Sequence, residues 1–76
     1  MKPWELEEQW HYVFGRRLRS LASRSRMPLT ELSRRSGISY FTLYGYVTMG
    51  RRVPAYAVVR LAQALEIPVN ELLEGP

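Results

Sequence analysis

From Trp10 onward the apolar residues recur as Trp10, Phe14, Leu18, Leu21 and Ala22, with Arg16, Arg17, Arg19 and Ser20 between them. That spacing is the stripe of an amphipathic helix, and it predicts helix one from about Glu5 to about Ser25. Pro28 interrupts any continuation but suits a first helical turn, and Leu29, Leu32 and Ser33 predict a helix of about two turns that Gly37 ends as a left-handed terminator. Ser39 stands where an N-cap belongs, so helix three is expected from Tyr40 to about Thr48. Gly50 to Pro54 read as a loop. Val58, Leu61, Ala62 and Leu65 then repeat at helical spacing and predict helix four over about Ala55 to Leu65. Ile67 and Pro68 turn the chain into a last short helix carrying Val69, Leu72 and Leu73. No stretch alternates as a strand does, and there is no internal repeat, so the pattern predicts an all-α chain of five helices.

Length and composition narrow the class. At 76 residues there is room for one domain and one modest core, and 46% hydrophobic residues with 12% aromatic describe a globular chain. Without cysteine, neither a disulfide framework nor a thiolate metal site holds it. The apolar runs are too short to span a bilayer, and Met1 to Glu8 are acidic rather than signal-like, so a cytoplasmic protein with no membrane partner is expected. His11 stands alone, with no carboxylate cluster at ligand spacing, so no enzyme activity, metal, cofactor or small-molecule ligand is expected.

Charge is more informative in its placement than in its sum. The net charge is +4, every arginine lies between Arg16 and Arg60, and Glu31 is the only acid in that span. The middle of the chain is a concentrated positive field, which suits either a solvated surface or an anionic partner such as double-stranded DNA.

Two short helices joined through Ser36, Gly37 and Ile38 form the arrangement in which a second helix enters the major groove while the first crosses the backbone. A helical wheel of the third helix points Leu43, Tyr46 and Val47 inward and Phe41, Tyr44, Gly45 and Thr48 outward, with Tyr40 on the flank, where packing and base contact are equally open. The aromatics are read either as a DNA-facing surface or as an exposed patch for a protein partner.

The run Leu32-Ser33-Arg34-Arg35-Ser36-Gly37-Ile38-Ser39, then Leu43, Gly50-Arg51-Arg52-Val53-Pro54, Leu61-Ala62-Gln63-Ala64-Leu65-Glu66-Ile67 and Glu71-Leu72-Leu73 resembles the Cro and lambda-repressor family of helix-turn-helix regulators, the XRE type. The resemblance covers nearly everything from Phe14 onward. It implies a five-helix lambda-repressor-like DNA-binding domain with an extended first helix, divided as an N-terminal extension over 1–12 and the domain proper over 13–74. It also implies a phage-type small regulator, a repressor or Cro-like protein, that binds double-stranded DNA and forms a possible homodimer. An antitoxin-like interaction module on the same fold is the alternative.

Carried over residue by residue, the family's base-reading positions fall on Tyr40, Phe41 and Tyr44, with Thr42 and Gly45 beside them, and its backbone contacts fall on Ser39, Thr48, Arg51 and Arg52. Arg34 and Arg35 are possible additions, although arginine near a helix C-terminus also answers the helix dipole. Arg16, Arg17, Arg19, Arg24 and Arg26 are either solvated surface or flank the duplex. Aromatic side chains where the family usually has amides favour methyl contacts and shape over bidentate hydrogen bonding. The chain departs from the family in three places. Ala22 and Val47 stand where a buried arginine and glutamate commonly pair, Leu29 replaces a phosphate-touching glutamine, and Gly50 comes one residue late. The aromatic N-terminal segment, with Trp4, Trp10, His11 and Tyr12, either caps the core or forms a partner surface.

Overall fold

Each of the five helices sends one leucine into the same interior: Leu18, Leu32, Leu43, Leu61 and Leu72 are all completely buried. The computed structural model describes residues 2–75, except for the side chains of Pro3 and Trp4, so the expectation for Trp4 lies outside the described residues. In order the helices are α1 (Pro3–Arg24), α2 (Leu29–Ser36), α3 (Tyr40–Met49), α4 (Ala55–Leu65) and α5 (Val69–Glu74), with no strand among the described residues. This is the all-α, five-helix arrangement with a long first helix that the pattern predicts. Burying each leucine is worth about 1.5–3 kcal/mol, so this shared layer is what holds the helices together.

The helix ends follow local chemistry. α1 starts two residues before the expected position, because Pro3 suits a first helical turn and the Glu5 carboxylate accepts the Lys2 backbone N–H at 3.1 Å. Past Arg24 the chain turns through Arg26, at φ 53°, and the Met27 N–H closes the turn on the Ala22 carbonyl at 2.9 Å. Pro28, Pro54 and Pro68 each sit just outside their helices in extended conformation, so Pro28 is the residue before α2 rather than part of its first turn. α3 runs one residue further than expected, to Met49, and Gly50 ends it in the left-handed region.

α1 and α3 meet at backbone distance. A Cβ on Gly15 would lie 1.9 Å from the Tyr46 carbonyl oxygen, so only glycine permits this approach. Ala22 and Val47, which stand at the positions of the family's ion pair, are both buried in the apolar interior. An apolar pair there avoids the desolvation cost of two buried charges. Trp10 departs from the predicted stripe: it is 40% exposed and stacks on Phe14 at 5.3 Å, roofing the core instead of entering it. At the far end Arg17 turns inward and donates to the Leu72 and Leu73 carbonyls, the latter a very short contact, and so ties the end of α5 to α1.

Candidate nucleic-acid interface

The turn between α2 and α3 is fixed by two serines and a glycine. Gly37 adopts φ 74°, a conformation that strains any other residue, and its N–H donates to the Ser33 carbonyl at 3.0 Å. The Ser33 hydroxyl donates to the Ile38 carbonyl at 2.6 Å, and the buried Ser36 hydroxyl accepts the Ile38 N–H at 3.3 Å. With the turn held, α3 has one orientation relative to α2, which is what a helix that enters a groove requires.

Ser39 caps α3 as expected. Its hydroxyl oxygen accepts the Thr42 N–H at 3.2 Å, and the hydroxyl donates to the Thr42 side chain at 2.8 Å. Leu43, Tyr46 and Val47 point into the core, while Tyr40, Phe41 and Tyr44 stand outside. Phe41 is 84% exposed, the Tyr40 ring meets it edge-on at 6.1 Å, and Tyr40 stacks on Tyr44 at 6.2 Å. The three rings form one continuous aromatic face. Thr48 is exposed on the same side, its hydroxyl donating to the Tyr44 carbonyl at 2.5 Å.

Gly45 differs from its outward position on the wheel. It is buried because the stem of Arg51 lies across it; a Cβ there would come within 2.7 Å of the Arg51 Cδ. What this stretch of helix presents to solvent is therefore the Arg51 side chain, seated on a glycine floor beside Tyr44 and Met49.

The arginines divide by partner. Arg34 and Arg35 both bind the Glu31 carboxylate, at 2.5 and 2.7 Å, and the hydrogen bonds from Arg34 and then Arg35 lower the Glu31 pKa from 4.5 to about 2. The folded state thus favours the ionised acid, so its stabilising contribution is complete above about pH 4.5 and is lost as the pH falls through about 2. An NMR titration of the Glu31 carboxyl is expected to have its midpoint near that lower value. A midpoint at the ordinary carboxylate value would mean the two arginines do not hold it in solution.

Arg52 is paired with Glu7 of α1, a contact between residues 45 positions apart. One turn further along α1, the buried His11 accepts the Val53 backbone N–H on Nδ1 at 3.1 Å. The other ring nitrogen, Nε2, faces the Glu7 carboxylate at 3.8 Å. Glu7 and His11 therefore grip the loop that carries Arg51 and Arg52. Sequence reasoning assigned neither residue this role; their one-turn spacing marks a shared helix face but not what that face meets. Arg51, in contrast to its neighbour, has no carboxylate partner among the described residues. Nor is there, among the described residues, a group of three side chains placed to hold a metal ion, or a helix long and apolar enough to cross a membrane.

A family model described as a helix-turn-helix domain matches residues 13–74. Among solved structures, the crystal structure of the restriction-modification controller protein C.AhdI from Aeromonas hydrophila is similar. It is 31% identical, with a TM-score of 0.78, and the match covers 82% of this chain and 94% of that one. No curated protein gives a significant match. With its glycine turn, capped third helix and outward aromatic face, the chain belongs to the helix-turn-helix domain family, as a small all-α DNA-binding regulator of the XRE type.

Proposed function

We propose that this chain regulates transcription by inserting residues 40–48 into the major groove of double-stranded DNA and reading base edges with Phe41 and Tyr44, flanked by Tyr40 and Thr42. The observation that carries this reading is the exposed aromatic face of α3, with Arg51 beside it on the Gly45 floor. A phenylalanine 84% exposed on a capped helix gains nothing from its own fold, and an apolar ring there suits the thymine methyl that lines the groove. Arg51 is the leading phosphate contact, with Ser39 and Thr48 near the backbone. Arg52, Arg34 and Arg35 join only by exchanging carboxylate for phosphate. The likeness to C.AhdI, a restriction-modification controller protein, supports a similar role here, as a repressor or Cro-like controller acting in the bacterial cytoplasm. A homodimer on two half-sites about one helical turn apart suits such a regulator.

Selection of bound duplexes from a random pool, followed by titration of the recovered motif at two salt concentrations, tests the reading. A defined motif bound far more tightly than random duplex, with affinity falling steeply as salt rises, is the expected result. Failure to enrich any motif would end it. The aromatic faces of α3 and the N-terminal half of α1 would then be assigned to a protein partner, as in an antitoxin.

A further inference from the structure

α3 has cations on both of its flanks, and only one flank belongs to the loop after it. On the other side a groove runs between α1 and the C-terminal half of α3, lined by Arg16, Arg19, Ser20, Ser23 and Thr48 with Tyr12 at its end. The α1 residues recur at one-turn spacing, so they share a single face of that helix. A second depression shares Arg19 and Ser23 and continues past Arg26 to Pro28 and Leu29, where α2 begins. No acidic side chain lines either stretch.

The partners of the arginines make this groove more than a charged surface. Arg34, Arg35 and Arg52 are held by carboxylates, and Arg17 is turned toward the end of α5. Arg16 and Arg19 have no carboxylate partner among the described residues; Arg16 lies 6.0 Å over the Tyr12 ring, which leaves its guanidinium edges open. Two guanidiniums and two serine hydroxyls along one groove are the donor set that sugar–phosphate oxygens accept from.

The dimensions of DNA decide which phosphates these are. The major groove is about 12 Å wide between its two backbones, and a helix with its side chains is about 10–12 Å across, so an inserted helix faces one strand with each flank. Arg51 lies over Gly45 on one flank, and the Arg16–Arg19 groove adjoins Val47 and Thr48 on the other. We propose that Arg16 and Arg19, with Ser20 and Ser23, form a second phosphate-binding site that grips the strand opposite the one Arg51 contacts. This site rests on the reading of α3 as the groove-entering helix.

The test compares the wild-type chain with Arg16→Gln/Arg19→Gln, Arg51→Gln and Arg24→Gln on a short mixed-sequence DNA duplex across a salt series. All the substituted residues are exposed, and unchanged thermal melts verify the folds. The double variant is expected to bind roughly tenfold more weakly, with a salt slope shallower by about 0.9 for each lost phosphate contact, while Arg24→Gln changes little. On the selected motif, phosphate ethylation is expected to stop interfering on one strand in the double variant and on the other strand in Arg51→Gln. An unchanged slope in the double variant, an equal loss in Arg24→Gln, or loss of interference on the same strand in both variants overturns the second site. If the wild-type chain shows no salt-dependent binding at all, the DNA-binding reading falls, and this site falls with it.

Discussion

Gly15→Ala is expected to lower the melting temperature of the protein by on the order of 10–20 °C, more than any surface change and without removing a single side-chain contact. The added methyl would sit 1.9 Å from the Tyr46 carbonyl oxygen, and that oxygen belongs to backbone inside a helix, so no rotamer change relieves the clash. α1 and α3 must separate instead, and separation loosens the layer in which Leu18 and Leu43 are completely buried. Overpacking of this kind costs about 1–3 kcal/mol and occasionally more, against which the better helix propensity of alanine returns less than about 1 kcal/mol. In a domain this small each kcal/mol shifts the melting point by about 4–8 °C. Melting followed by circular dichroism checks it. A variant that melts within a few degrees of wild type would show that the two helices do not approach this closely.

The second large effect is on specificity and should leave stability almost untouched. Phe41→Ala and Tyr44→Ala together remove most of the aromatic face of α3, yet neither side chain is in the core, so the fold is expected to keep its melting temperature. Preference for the selected motif over a scrambled duplex should fall by on the order of 100-fold, since a good base contact discriminates by about 1–3 kcal/mol. Binding to the scrambled duplex should persist, because phosphate contacts supply it. Competition between the two duplexes reads the ratio directly. An unchanged ratio would take base reading away from both rings.

Most of the fold was legible because helices declare themselves locally. The repeat of Val58, Leu61, Ala62 and Leu65 predicted α4 to its observed ends, and the wheel of α3 separated Leu43, Tyr46 and Val47 from the outward rings. The site was legible in part. The Ser39 cap and the left-handed Gly37 follow from residue type and position alone. What stayed hidden depends on distant partners. Nothing in the periodicity of α1 says that Glu7 meets Arg52, that Arg17 reaches the end of α5, or that Gly15 faces a carbonyl of α3. A wheel also treats every outward position as open, so it missed that Arg51 folds back over Gly45. The pairing of Arg34 and Arg35 with Glu31 lies between these cases: its spacing of three and four residues was visible, but the arginines were read as either phosphate contacts or answers to the helix dipole.

The bond between His11 and Val53 bears on where a working unit of this chain begins. The family match starts at residue 13, and a fragment cut there would lose the imidazole while keeping the loop that depends on it. The Val53 N–H would exchange the imidazole for water, and the loop would lose the bond that ties it to α1. Glu7 would go with it, and Arg52 would gain a freedom that it lacks in the full chain. A fragment that begins at residue 13 is therefore expected to melt at a lower temperature than the full chain, and one that keeps Glu7 and His11 is not.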